Sequence, residues 1–390
     1  MRAEHAWSCG LLSLLVPFSA CIQYAEVLRK ASLRESDMDG IAATAGPGLD
    51  LCLRVGLPWA SSLARRLALP FVGVHHMQAH AMVAQMDHPH MQLPCIALLV
   101  SGGHTELWLV RSQSDCRILA ETADDAVGEA YDKAARSIGV QRLLNEPPGA
   151  AVERLASLAQ QPHRFNLPRL REDVEFSFAG LKAAVQRSVL QLRADRAQGP
   201  LSASLELNQD GRLSNRSISL LVEATRTEQH AASSEASTLL QQLGQLTAED
   251  QQNLCAAFQL AVCDQLVSRV QRALDFTADW SQRGQLSPIR QLVVGGGVAC
   301  NRAIRAALQR ACASRGVEVL APRPLHCMDN GIMIAHMGGR LLQQGHTDAL
   351  DMTWVPRWPI GPKINMRTHF PHKTTSTPTV SAGTSSPDAP

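Results

Sequence analysis

Apolar residues along this chain fall into two kinds of pattern, short continuous runs and longer stretches with helical spacing. The short runs read as buried strands: Gly40-Ile41-Ala42-Ala43-Thr44, Leu69–Val74, Cys95–Val100, Thr105–Val110, Arg290–Val294 and Glu318–Leu320. Helical spacing predicts helices over 22–35, up to Leu67, over 125–138, through most of 151–192, and over 301–313 and 332–344. A further helix should start at the Thr-x-x-Asp capping signal of Thr247 and run through Leu274. Strands alternating with helices imply an α/β architecture, with ligand sites at strand ends. Three glycine-rich turns fall there: Gly46-Pro47-Gly48, Ser101-Gly102-Gly103 and Gly295-Gly296-Gly297. The Ser-Gly-Gly turn joins two strands as a hairpin. It reads either as a nest of backbone N–H groups for an anion or as a plain tight turn. Residues 193–246 break the pattern, rich in Ser, Gln, Glu and Asn, and predict a flexible insertion without a core. The tail after about 373 is Ser, Thr, Pro and Ala and reads as disordered unless bound.

Composition narrows the classes. At 390 residues there is enough chain for two domains with cores, and 45% apolar with 18% charged residues is ordinary for a globular protein. A net charge of +2 confines any nucleic-acid site to a local patch. Ten cysteines are scattered without a C-x-x-C, and Cys95, Cys255 and Cys263 sit in apolar contexts, which suits reduced thiols inside a cell. The run Gly10–Phe18 is too short to span a bilayer. With Arg2 ahead and Ser19-Ala20-Cys21 behind it has the form of a signal-peptide core, but the rest of the chain reads as an intracellular enzyme with no membrane partner.

The chemistry concentrates in two places. His76 and His80 are four apart, so a helix puts both on one face, with Cβ atoms about 6 Å apart. Distant Asp329, in Cys327-Met328-Asp329-Asn330-Gly331, would complete a two-His-one-carboxylate metal set with open positions. The plainer alternatives are a helix face that carries two histidines and, for Asp329, a helix N-cap.

The following segments occur in order: His76-Met77-Gln78-Ala79-His80, Leu99-Val100-Ser101-Gly102-Gly103-His104-Thr105, Gly128-Glu129-Ala130-Tyr131-Asp132-Lys133, Phe176-Ser177-Phe178-Ala179-Gly180-Leu181-Lys182, Gly296-Gly297-Val298 with Asn301, and Cys327–Gly331. With Pro356-Arg357-Trp358-Pro359 at the end, the chain resembles the tRNA N6-adenosine threonylcarbamoyltransferase family, formerly called O-sialoglycoprotein endopeptidases, over 22–190 and 247–361. The resemblance implies a two-lobed actin/sugar-kinase-like fold: a first lobe over 22–135, and a second over 136–361 that contains the insertion 193–246. An unmatched segment 1–21 precedes them and a disordered tail 362–390 follows. It implies transfer of a threonylcarbamoyl group from threonylcarbamoyl-adenylate to N6 of the adenosine beside the anticodon, in tRNAs reading codons that begin with A. It implies one divalent metal, iron or zinc, on His76, His80 and Asp329. Leu99, Val100, Ser101, Gly102, Gly103, Asp132, Gly149 and Asn301 would contact the donor, with Asp132 on the ribose hydroxyls. Lys182 would hold phosphate or tRNA, or be a plain solvated lysine. The partners implied are tRNA and a separate synthase that makes the donor; a homodimer is admitted. The HHM-x-AH sequence is similar to the mitochondrial branch and implies that location.

This chain departs from the family pattern at three points. Gln78 stands where the family has Glu, which also argues against an H-E-x-x-H peptidase. The family's Pro-Gly-Gly appears as Pro147-Pro148-Gly149. The family's opening Ile-Glu-Thr-Ser-Cys-Asp-Asp-Thr strand and a later Gly-Gly-Val-x-Pro segment have no counterpart. The first lobe is therefore expected to lack its leading strands and a phosphate loop. That expectation fits an incomplete chain, inactive as it stands; together with Gln78 it also fits a non-catalytic relative that binds nucleotide or a partner.

Overall fold

The computed structural model describes residues 23–169, 174–197, 205–228 and 243–366. After a helix over 23–31 (α1), strand β1 (Ile41–Gly46) pairs in parallel with β2 (Phe71–His75), and helix α2 (Asp50–Leu67) crosses between them. Among the described residues this small sheet has two strands. Its side chains alternate as a pleat requires. Ile41, Ala45 and Phe71 pack with α2 through Leu57 and Ala60, while Val72 and Val74 face the opposite layer.

A second, mixed sheet has the order β5-β4-β3-β6-β7. Strands β3 (Cys95–Val100), β4 (Thr105–Val110) and β5 (Cys116–Glu121) form an antiparallel meander. Strands β6 (Gln291–Gly295) and β7 (Glu318–Leu320) continue in parallel from β3. Its outer face, with Ile96, Leu98 and Val294, packs against helices α5 (Val127–Ile138), α7 (Ala179–Asp195), α9 (Ala248–Gln282) and α10 (Arg302–Ala313). Helix α6 (Pro148–Ala156) lies against α5 and α9. Its inner face, with Ala97, Leu99 and Val293, packs in one layer with Val72 and Val74 of the small sheet. Short helix α3 (His76–Met82) and helix α12 (Gly331–Gln343) fill that layer through Met77, Ala79, Met333 and Met337. Burial on both faces is why the central strands read as continuous apolar runs.

The mixed α/β class is as the sequence implies, and the strands form two sheets. Hydrogen bonding divides the chain differently from the expected break at 135: β3–β5 belong to the larger sheet, while α12 returns to the smaller one. Strand pairing across long sequence separations decides this, and local pattern does not carry it. Strand β5 was not expected; its Cys116-Arg117-Ile118-Leu119-Ala120-Glu121 is too weakly alternating. The capping box at Thr247 is present, with Asp250 N–H to Thr247 Oγ1 at 3.2 Å, and α9 runs on to Gln282.

The insertion also differs from expectation. Its described part contains helix α8 (Asn215–Glu228), and Leu205, Leu213, Leu221 and Leu243 form a small apolar cluster with Leu190 and Ala194 of α7. Leucines spaced through a polar sequence were enough to build a satellite core on an existing helix. Of the tail expected to be disordered, residues 362–366 are described and ordered, with Ile364 N–H on the Ile118 carbonyl at 2.8 Å and Met366 buried; the rest of the tail and the segment 1–21 lie outside the described residues.

Candidate active site

The site is built on α3, which begins directly where β2 ends. His75 caps it: its Nδ1 accepts from Gln78 N–H at 3.3 Å, so the proton sits on Nε2, which donates to the Trp358 carbonyl at 2.9 Å. Burial pushes the His75 imidazole down to about 4, so it caps as a neutral ring. The Trp358 ring packs tilted against that ring, centroids 5.0 Å apart, which ties the Pro-Arg-Trp-Pro segment to the helix start. Gly295 makes room on the other side. A Cβ there would lie 2.7 Å from the His80 carbonyl oxygen, so only glycine lets α3 seat on β6.

His76 and His80 then face Asp329 together. Their Nε2 atoms lie 3.5 Å and 3.0 Å from Asp329 Oδ1, and the three ligand atoms fall within 4.8 Å of one another. His80 is buried, His76 partly so, and Asp329 open. Hydrogen bonds from His76, then His80, hold the Asp329 carboxyl well below the usual carboxylate range. Asp329 is not the N-cap of α12. That role belongs to Asn330, whose Oδ1 accepts from Met333 N–H at 2.9 Å, leaving Asp329 free to point at the histidines. Two imidazoles and an ionised carboxylate make a donor set that fits a divalent cation.

The Asp329 loop is held from behind. Asp87, at the end of α4 (Ala84–Asp87), accepts from Arg323 N–H at 2.9 Å and from Arg323 Nε at 2.7 Å, and bonds His326 Nδ1 at 2.9 Å. This fixes the short helix α11 (Pro324–Cys327) two residues before the ligand.

A cavity of about 860 Å³ opens beside the cluster, lined by Thr44, Pro47, Gly48, His76, His104, Asp329 and the Ser101-Gly102-Gly103 turn. A smaller one of about 260 Å³ adjoins it, sharing Gly102, Gly297 and Met328, and is lined by Tyr131, Asp132, Pro147, Gly149, Glu153, Cys300 and Asn301. The turn is partly self-bonded. Ser101 Oγ accepts from Gly103 N–H at 3.3 Å and from His104 N–H at 3.0 Å. The Gly103 amide of the expected anion nest is thus already engaged, as is the Ser101 amide, which donates to the His104 carbonyl at 2.9 Å. Helix α5 starts tight against this turn, because Gly128 lets it: a Cβ there would sit 2.6 Å from the Ser101 carbonyl oxygen.

The structure therefore brings Ser101, Gly102, Gly103, Asp132, Gly149 and Asn301 to adjoining cavities. Leu99 and Val100 are different. Their side chains are buried on opposite faces of β3 and line neither cavity, because both faces of that strand are covered. Asn301 caps α10, its Oδ1 taking Ile304 N–H at 3.0 Å while its Nδ2 donates to Gln259 at 2.9 Å. Asp132 opens onto the small cavity, whose walls desolvate it enough to lift its carboxyl above the ordinary range. Lys182 is not simply solvated: with Lys133 it is paired to Asp125. Gln78 turns away from the histidines and donates to the Gln113 carbonyl.

Sequence reading missed four wall residues. His104 stands next to the cluster, its imidazole pushed down by burial and by His76 and His80; its place in the Ser-Gly-Gly-His-Thr segment was the available signal. Met328 had the same kind of signal in the Cys-Met-Asp-Asn-Gly segment, while Glu153, which accepts from Arg302 N–H at 2.8 Å, and Cys300 carried none.

A model of the tRNA N6-adenosine threonylcarbamoyltransferases matches residues 22–336. The chain belongs to this family. A Geotalea uraniireducens enzyme of that name is 35% identical over 337 residues, covering 86% of this chain and 79% of the relative. One from Brucella anthropi is 36% identical over 343 residues, covering 87% and 79%. A probable mitochondrial one from Arabidopsis thaliana is 33% identical over 348 residues, covering 86% of this chain and 62% of that protein.

Proposed function

We propose that this chain is a transferase that moves the threonylcarbamoyl group from threonylcarbamoyl-adenylate to N6 of the adenosine beside the anticodon, in tRNAs reading codons that begin with A. The observation that carries the reading is the pair of adjoining cavities, one beside the His76–His80–Asp329 cluster and one beside Asp132, Gly149 and Asn301. The smaller is sized for a nucleoside and mostly apolar, with a carboxylate at its edge to accept ribose hydroxyls. The larger leaves room for the activated group and the incoming adenosine.

The donor is a mixed anhydride and already activated, so no protein nucleophile is required. N6 attacks the carbamoyl carbon, the C–O bond to phosphate breaks, adenylate leaves, and N6 gives up one proton to solvent. Asp132, Gly149 and Asn301 hold the nucleoside while the Ser101–Gly103 turn lies under the reacting group, a proximity effect. His76, His80 and Asp329 would hold one divalent metal, iron or zinc. Such an ion supplies positive charge against the anionic oxygens of donor and leaving group. Asp87 and His75 keep the three ligands aligned through the α11 loop and the α3 cap.

The reading includes tRNA as partner, a separate synthase as source of the donor, a homodimer, and a mitochondrial location, the last supported by the name of the Arabidopsis relative. Among the described residues no helix is long and apolar enough to cross a membrane. The alternative of a non-catalytic relative rested partly on Gln78, whose side chain is directed away from the cluster. The test is a single-turnover assay with threonylcarbamoyl-adenylate and unmodified tRNA, read by mass spectrometry of the anticodon-adjacent adenosine. Unmodified adenosine after many turnover times, from folded protein shown to bind threonylcarbamoyl-adenylate, would overturn the reading.

A further inference from the structure

We infer that Leu49 and Met328 are acceptor-binding residues: an apolar clamp at the mouth of the larger cavity that takes the base of the adenosine drawn out of the tRNA loop. The inference rests on the proposed transfer to that adenosine and adds where the RNA touches the chain. Both side chains line the larger cavity, yet both stay in water, Leu49 77% and Met328 51% exposed. They have apolar company on the same two segments. Leu51 follows Leu49 on α2, and Leu325 and Ile332 flank Met328 on α11 and α12, all three exposed. A leucine exposed by itself is ordinary, but apolar side chains concentrated on the two segments that border a cleft mark a binding surface.

Each lip is held in place by its own backbone. The Gly46-Pro47-Gly48 turn is pinned by Gly48 N–H on the Pro356 carbonyl at 3.1 Å and by Val355 N–H on the Ala45 carbonyl at 2.7 Å. Asp50, directly after Leu49, accepts from Trp354 Nε1 at 2.8 Å and from Arg54 Nη2 at 2.6 Å. On the other lip, Asn330 Nδ2 donates to the Met328 carbonyl at 2.6 Å. Leu49 is the N-cap of α2 and makes no side-chain cap bond. Ser, Thr, Asp or Asn would stabilise that position more, so the leucine does not serve the helix. An unstacked base is the occupant that fits. Chemistry on a base requires it to leave the stack and be held between apolar or aromatic side chains. Met328 lines both cavities, so a base against it sits where the nucleoside pocket meets the His76–His80–Asp329 cluster. Arg357, exposed beside Pro356 of the cavity wall and bonded to no acidic side chain among the described residues, can take a phosphate of the same strand.

The experiment compares the full chain with Leu49→Ser and Met328→Ser, with Leu158→Ser, an exposed leucine just after α6, as the matched control. The probe is an anticodon stem-loop RNA with 2-aminopurine in the acceptor position, which has no N6 amine and brightens when it leaves the stack. Wild type and Leu158→Ser should brighten it. Leu49→Ser and Met328→Ser should need about tenfold more protein, the loss expected when one apolar side chain is no longer covered. In transfer, Leu49→Ser should raise the KM for tRNA by the same factor, with donor affinity and metal content at wild-type values. Its Tm should hold or rise, because serine caps α2. A wild-type chain that leaves the probe dark overturns the clamp, and so does either clamp variant that matches wild type. A lowered Tm in Leu49→Ser would make the leucine a packing residue and overturn it as well. So would an unchanged KM for tRNA with loss of a complex with the synthase, since the rim would then be a protein surface. Brightening without transfer would sink the transferase reading and leave the clamp; transfer with equal KM in wild type and Leu49→Ser does the reverse.

Discussion

The two ends of the cleft are held by different means. At the cluster end, position comes from side-chain contacts between distant segments: His75 to Trp358, Asp87 to Arg323 and His326, and Asp329 to both histidines. At the nucleoside end, position comes mostly from packed backbone. Gly128 lies against the hairpin turn, Gly149 against the Tyr131 ring, and Tyr131 edge-on to Phe258 at 5.0 Å. A polar lattice fails when one partner is removed, because the remaining groups are left unpaired. A packed wall fails on added volume.

The largest effect should come from removing a ligand. His80→Ala leaves two of three ligand groups, and metal content after dialysis should drop to background, with transfer falling in step. Metal analysis that shows equal occupancy in wild type and variant would remove His80 from the site and collapse the contrast between the ends. Gly128→Ala tests the packed end. The new methyl meets the Ser101 carbonyl and the Gly102 backbone, so the turn must shift, at a cost of about 1–3 kcal/mol in denaturant unfolding. It should also weaken the donor while leaving metal content unchanged. If metal is lost as well, the two ends are one mechanical unit.

Asp132→Asn is the finer probe. A neutral amide should bind the donor on the order of tenfold more weakly, the loss expected for a hydrogen bond to a charged group. Wild-type affinity should fall on acidification, starting at a higher pH than an ordinary aspartate would give, since the cavity walls raise this carboxyl. The variant should show no such fall. Stability moves the other way. A carboxyl raised in the folded state favours folding fully below its unfolded value of 3.8, and that contribution is lost as pH rises through the folded value. Asp132→Asn should therefore be slightly more stable at neutral pH, read as a small rise in Tm. The smallest effect on the site should come from replacing 198–242 with a Gly-Ser linker. Leu190 and Ala194 lose their cover, so Tm should drop modestly while single-turnover transfer is retained. Lost activity with an intact fold would make the insertion part of the cleft.

Much of the cluster end was legible in the sequence, because a helix fixes the spacing of His76 and His80 and the Cys-Met-Asp-Asn-Gly segment marks its distant partner. The strands were legible too, since burial on both faces writes itself as an apolar run. The sequence by itself thus determined the α/β class, the helix that carries two ligands, and the resemblance that led to the family. Tertiary structure alone decided the rest. It placed β3–β5 in the larger sheet, since strand pairing joins segments far apart, as with Ile96 opposite Leu292. It assigned the cap of α12 to Asn330 and freed Asp329, a choice between adjacent polar residues that composition cannot make. It withdrew the Leu99 and Val100 side chains from the cavity. None of these follows from local pattern, because each depends on which surfaces meet after the two sheets close on α3 and α12.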